Sequence, residues 1–249
     1  MNVAANLAAV RARIADAAVR SGRAAQGVRL VLVTKTVEPE RVLEAVHAGQ
    51  ADLGENKVQE GRSKAEALAG QPVRWSMIGH LQSNKVKDVL RFAHEVQSLD
   101  RLSLAGALEK RLQFLGRGLD VLVQVNTSNE ASKYGLPPDE VAGFLRQLTA
   151  FPALRPKGFM TLARFTPDLD EVRRCFRVLR GVRDRALNDA PQGASMTELS
   201  MGMSGDYEVA IEEGATIVRV GQAVFGPRPL PDSYYWPDVV QTVGTASAK

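Results

Sequence analysis

Only one cysteine, Cys175, occurs among the 249 residues, which excludes an internal disulfide framework and fits a reducing compartment. Histidine is nearly as scarce. His47, His80 and His94 are not spaced as metal ligands and have no cysteines to join them, so no metal site is expected. No run approaches the ~18 apolar residues that a membrane span requires. Met1–Val10 carries no charged leader ahead of an apolar core, so a soluble cytoplasmic chain without a membrane partner is the expectation. Several nucleotide and hydrolase signatures are missing as well. There is no G-x-G-x-x-G, and Gly79–Val86 imitates a P-loop only until Asn84 replaces its second glycine and Val86 its Ser/Thr. Ser200 lacks the G-x-S-x-G setting of a hydrolase nucleophile. Nor is positive charge gathered in one place, although the net charge is +4. Arg173, Arg174, Arg177, Arg180, Arg183 and Arg185 alternate with Val172, Phe176, Leu179 and Val182, as on a helix with one wet face. Nucleic acid is therefore not an expected partner, whereas the excess charge suits attraction of a phosphorylated small molecule. Cys175 sits in this stretch beside Phe176, where half-buried packing is expected rather than reactivity.

What is present is an alternation of apolar runs and helical patterns from end to end. Val3, Leu7, Val10 and Ile14 recur at three- and four-residue spacing, which predicts an N-terminal helix. Apolar segments then read as strands near 28–34, 51–53, 73–78, 95–99, 119–125, 157–162, 196–200 and 215–220. Helical patterns separate them, including one opened by Pro137–Pro138 and one from Ser204 to about Glu213. The fold class expected is α/β: a single (β/α)8 TIM-type barrel with an additional N-terminal helix, one domain over residues 1–249. The barrel would occupy about 28–226, and the proline-containing tail, about 227–249, would wrap the surface. If the short strands two and four failed, an open doubly wound sheet would replace the barrel.

In a barrel the carboxyl ends of the strands share one mouth, and active sites are built there. Lys35 closes the run Leu30–Val31–Leu32–Val33–Thr34. Two readings stand: a solvated residue ending a strand, or an amine whose proton affinity falls on desolvation, so that it can attack an aldehyde and form a Schiff base. Leu199–Ser200–Met201–Gly202–Met203–Ser204–Gly205–Asp206 and Val220–Gly221–Gln222–Ala223 follow strands seven and eight. Their glycines let backbone N–H groups approach an anion, and barrels often hold phosphate between these two loops. Ser204 suits the cap of the following helix. Arg219 lies inside Ile217–Val218–Arg219–Val220, where a guanidinium needs acceptors, and Glu198 is a candidate partner.

These residues also carry a resemblance. Thr34–Lys35–Thr36, Gly54–Glu55–Asn56–Lys57–Val58–Gln59–Glu60 and Ile78–Gly79–His80–Leu81–Gln82–Ser83–Asn84–Lys85 resemble signature stretches of the pyridoxal phosphate homeostasis proteins. So do Ser132–Lys133–Tyr134–Gly135–Leu136, Leu199–Ser200–Met201–Gly202–Met203–Ser204 and Val218–Arg219–Val220–Gly221, in the same order along the chain. The resemblance implies a barrel like that of bacterial alanine racemases, with pyridoxal 5′-phosphate held by Lys35 as a Schiff base. It further implies Ser200, Met201, Gly202 and the Gly221–Gln222 backbone around the phosphate, Arg219 at the pyridine nitrogen and Asn56 lining the pocket. Ser76 stands where many members carry histidine, and Gln222 where a hydroxyl residue is frequent.

The implied role is a cytoplasmic binding and carrier protein, a monomer that keeps the cofactor level and passes it to pyridoxal-phosphate-dependent apoenzymes. No catalytic residue is assigned. An arginine at the pyridine nitrogen can only donate, which leaves the ring a weak electron sink. The alternative is an amino-acid racemase of low activity, for which Tyr234 and Tyr235 would have to replace a racemase's partner-subunit tyrosine.

Overall fold

Strand β1 (Arg29–Val33) is apolar at every position after Arg29, and seven further strands follow the same logic. They are β2 (Asp52–Glu55), β3 (Arg74–Met77), β4 (Ala93–Leu99), β5 (Leu119–Gln124), β6 (Leu154–Met160), β7 (Glu198–Ser200) and β8 (Ile217–Val220). In the computed structural model, which describes residues 2–130, 133–189 and 195–227, these strands form a closed parallel barrel in chain order. β8 returns to β1 in the register Val31↔Arg219 and Leu32↔Val220. The barrel expectation therefore holds, including strands two and four. Ser132, the tail beyond Pro227, Tyr234 and Tyr235 lie outside the described residues.

The helices alternate with the strands: α1 (Val3–Arg20), α2 (Pro39–His47), α3 (Val58–Ala67), α4 (Val86–Val89), α5 (Leu102–Leu115), α6 (Val141–Leu148), α7 (Leu169–Asp189), α8 (Tyr207–Glu212) and α9 (Gln222–Phe225). Successive strand side chains point to opposite faces. On β1, Leu30 and Leu32 join the large cluster that packs against the helices, whereas Val31 joins Leu122, Met160 and Ile217 in a separate small cluster. That small cluster lies on the inward faces of the strands. A proline at Pro156 cannot donate to the β5 ladder, and the register shifts there, with Val121 opposite Pro156 but Leu122 opposite Gly158.

Helix α1 is capped by Asn2, whose side chain accepts the Ala5 N–H at 3.0 Å. It buries Val3, Leu7, Val10 and Ile14, packs on α2, α8 and α9, and donates from the Asn6 amide to the Val224 carbonyl at 2.9 Å.

Three local expectations need correction. Helix α6 begins at Val141 and not at Pro137, because residues 138–140 form a turn first. Cys175 is buried and not half-exposed. The arginines of α7 are not merely a wet face. Arg173, Arg177 and Arg180 place nitrogens 2.8, 3.1 and 2.9 Å from the buried Glu213 carboxylate. Burial alone would push that carboxyl up, but the Arg173 hydrogen bond and the three positive charges hold it below its usual range. A carboxyl depressed on folding contributes stability that is complete above its unfolded pKa and is lost as pH falls through the folded one. Glu213→Gln is expected to cost about 2 kcal/mol at neutral pH, a charged hydrogen-bond loss. The melting point should drop by roughly 4–8 °C, and the gap to the parent protein should narrow on acidification.

Candidate functional site

The eight residues singled out for a ligand leave four adjacent strands, β7–β8–β1–β2. Lys35 follows β1 and is partly buried, and Asn56 follows β2 in a similar position. Gly221 and Gln222 join β8 to α9. A Cβ at Gly221 would stand 2.9 Å from the Val33 carbonyl oxygen, so only glycine lets this turn lie against the strand that carries Lys35. Gly202 has φ 92°, and a Cβ there would meet that of Ala210 at 2.6 Å. Its carbonyl accepts the Arg219 N–H at 2.9 Å. Met201 is fully buried in the core, and its N–H is donated to Ile217.

Arg219 does not reach Glu198. That residue sits at the opposite end of the barrel, 3.8 Å from Arg29, because Glu198 begins β7 whereas Arg219 lies near the end of β8. Arg219 instead donates Nη1 to the Ser200 hydroxyl at 2.7 Å and Nη2 to the Thr161 carbonyl at 2.8 Å. Full burial pushes its pKa down to about 10, with the Asp206 charge opposing the shift. The guanidinium is thus still a cation at neutral pH, and among the described residues no carboxylate forms an ion pair with it.

Behind Arg219 runs a buried polar chain. The Ser200 hydroxyl donates to Gln97 Oε1 at 2.6 Å, and Gln97 Nε2 donates to Glu95 at 3.2 Å. Glu95 also accepts from Ser76 at 2.8 Å and from Arg29 at 2.9 and 3.1 Å. A guanidinium only donates and a carboxylate only accepts, so the two groups between them have one consistent orientation. Ser200 therefore gives its single proton to Gln97 and turns its lone pair to Arg219. Ser76 is thus part of this buried hydrogen-bonded chain.

A different serine faces the helix amides. Ser204 Oγ accepts from Gly221 N–H and Ala223 N–H, each at 3.3 Å. Ser204 was expected to cap the helix after it, but the N-cap position of that helix, α8, is held by Asp206, which makes no side-chain capping bond and whose carboxylate accepts the Met203 N–H instead. Ser204 instead serves α9, on the neighbouring strand's loop. Its spacing in the Met203–Ser204–Gly205 turn was visible in the sequence, but the loop it would face was not. Elsewhere at the mouth the His80 and Tyr134 rings stack at 3.8 Å, and His80 Nδ1 stands 3.5 Å from Asp100. Among the described residues no group of ligands could hold a metal ion, and no helix is long and apolar enough to cross a membrane.

Comparison with known proteins agrees with this architecture. Residues 5–229 match the family described as alanine racemase, N-terminal domain. The pyridoxal phosphate homeostasis protein of Aquifex aeolicus is 39% identical over 92% of this chain and 99% of its own. PipY of Synechococcus elongatus, solved with pyridoxal phosphate bound, superposes with a TM-score of 0.80 at 32% identity, covering 90% of this chain and 100% of that one. An alanine racemase of Clostridium difficile shares the fold alone, with a TM-score of 0.67 at 15% identity, and this chain covers 54% of it. By the extent and identity of these matches, the chain belongs to the pyridoxal phosphate homeostasis protein family.

Proposed function

We propose that this protein binds pyridoxal 5′-phosphate as a Schiff base on Lys35 and serves intracellular cofactor homeostasis without strong catalytic activity. It would act as a cytoplasmic, monomeric carrier, residues 1–249 forming one unit, that passes the cofactor to dependent apoenzymes. The observation that carries this reading is the donor set on adjoining strands. An amine at Lys35, a buried cation at Arg219 and the Gly221–Gln222 turn, which lies against Val33, all leave β1 and β8. Such a set fits an aldehyde, a ring nitrogen and a phosphate in turn. When bound, the cofactor supplies an aldehyde that captures amines and a ring that accepts electrons.

The chain's own residues limit that second property. Arg219 is committed as a donor and holds no proton that it would transfer at neutral pH, so it supports orientation of the ring more than carbanion chemistry. Gly221 and Gln222 would present backbone to the phosphate, and Gly202 would shape the facing loop. Asn56 would line the pocket. Met201 would contribute through its backbone, since its side chain is in the core. Ser200 would act through Arg219, and Ser204 would supply the hydroxyl beside the anion.

Two experiments test this. Addition of the cofactor should give a visible absorbance band, and borohydride followed by mass spectrometry should place the reduced adduct on Lys35. A colourless protein, or a tag elsewhere, rejects the proposal. Exchange of the α-proton of alanine at several turnovers per second would favour the low-activity racemase instead. The serines separate by variant. Ser204→Ala should weaken retention of the phosphorylated cofactor by roughly tenfold, about 1.4 kcal/mol, while barely affecting unphosphorylated pyridoxal. Ser200→Ala should disturb both forms alike and lower the melting point, because it leaves buried Gln97 and Arg219 groups unpaired.

A further inference from the structure

The main chain on either side of Lys35 is held by side chains of α3. Lys64, almost wholly buried, donates from Nζ to the Thr34 carbonyl at 2.5 Å, to Glu55 at 2.7 Å and to Glu60 at 2.6 Å. The same Glu60 oxygen accepts the Thr36 N–H at 2.6 Å. Glu55 accepts the Thr34 hydroxyl at 2.6 Å as well. Thr34 and Thr36 are the residues immediately before and after Lys35, so both peptide flanks end on one ion cluster.

The backbone between these anchors is unusual. Val37 N–H donates to the Thr34 carbonyl at 3.0 Å, closing a four-residue turn with Lys35 and Thr36 at its corners. Thr36 has φ 62°, a region suited to glycine or asparagine and unfavourable for a β-branched residue. Such strain persists only where the surroundings over-determine it, and it gathers at working sites. The cluster is also poorly built as a source of stability. Glu55 Oε2 is buried without a hydrogen-bond partner, and a lysine buried between two carboxylates is weak evidence for stabilisation. Its geometry is better explained by what it holds in place.

We infer that Lys64 and Glu60 are positioning residues for Lys35, fixing the strained Thr34–Val37 turn so that the amine leaves the main chain in one direction. This rests on the reading that Lys35 is the attachment point of the cofactor. Glu60 acts on the amide side of the turn and Lys64 on the carbonyl side.

The test exploits the cost of φ 62° to threonine. Glu60→Ala, Glu60→Gln, Thr36→Gly and the double variant Glu60→Ala/Thr36→Gly are mixed with pyridoxal phosphate, and growth of the visible band is followed in time. Melting points of the cofactor-free proteins are measured alongside. Glu60→Ala should slow adduct formation on Lys35 by roughly tenfold or more, as a misplaced reacting group does. Glu60→Gln, which retains an oxygen for the Thr36 N–H, should fall between. Glycine adopts φ 62° without strain, so the double variant should recover to within about threefold of the parent. A purely structural role predicts rates that follow melting points, with no recovery on adding Thr36→Gly, and that result overturns the inference. So does an unaltered rate in Glu60→Ala when the parent is tagged at Lys35. If the parent itself takes no tag at Lys35, the reading beneath falls and the inference with it, which marks the two failures apart.

Discussion

Lys35→Ala is expected to give a folded, colourless protein that no longer takes a borohydride-stable adduct. The side chain lies at the strand end, partly buried, and outside the hydrophobic clusters, so its removal takes little from the core. The melting point of the cofactor-free protein should stay within about 2 °C, less than a 1 kcal/mol change produces in a chain of this size. The effect on binding should be much larger. Loss of the covalent bond leaves only the anion and ring contacts, and retention of the cofactor should fall at least about a hundredfold, on the order of 2.7 kcal/mol. Lys64 and Lys133 are poor substitutes. Lys64 is buried with three acceptors, and Lys133 is held by the Ala163 carbonyl at 2.9 Å and by Glu130 at 2.6 Å. Equilibrium dialysis together with the visible spectrum measures this. A band of parental intensity in Lys35→Ala would move the attachment point to another residue.

Glu95→Ala should produce the largest loss of stability. The carboxylate is buried in the barrel and accepts from Arg29 twice, from Ser76 and from Gln97. Burial works against the Arg29 cation, yet Glu95, with Asp52 and Glu198, holds it above its ordinary pKa. Removing one partner of such a pair strands the other, at about 3–5 kcal/mol, or roughly 6–20 °C in melting point. Glu95→Gln should cost less, because it still accepts one bond, but it removes the acceptor-only end that orients Gln97. The Gln97 amide can then turn over, Ser200 loses its acceptor, and Arg219 meets a hydroxyl free to rotate. The predicted signature is a shifted visible band in the loaded Glu95→Gln protein, along with a modest drop in melting point. Equal melting points for Glu95→Ala and the parent would show that the chain of bonds carries no stability.

Much of this architecture was legible in the residues. Strand–helix alternation is a local, repeated signal, and it placed β1 to β8 within a few positions. Strand ends follow from that alternation, which is why Lys35, Asn56, Arg219 and Gly221 could be gathered at one mouth. Pairing across the barrel was another matter. Arg219 was matched to Glu198 because both lie near β8 and β7, yet their heights along the barrel differ, and height depends on register. Ser204 was matched to the wrong helix for the same reason, since its hydroxyl faces the α9 amides on the next loop. The interior chain through Glu95 and Gln97 was invisible. Polar residues at alternate strand positions read as a solvated face, whereas here that face is enclosed by closure of the barrel. Lys64 was hidden too, because an amphipathic pattern does not distinguish a lysine turned outward from one drawn under a neighbouring turn.

The bond from Asn6 to the Val224 carbonyl spans 218 positions of sequence. It ties the first helix to α9, whose opening amides serve Ser204. Fusion or trimming at the amino terminus is thus not remote from the loop that joins β8 to α9, even though every barrel strand would survive it.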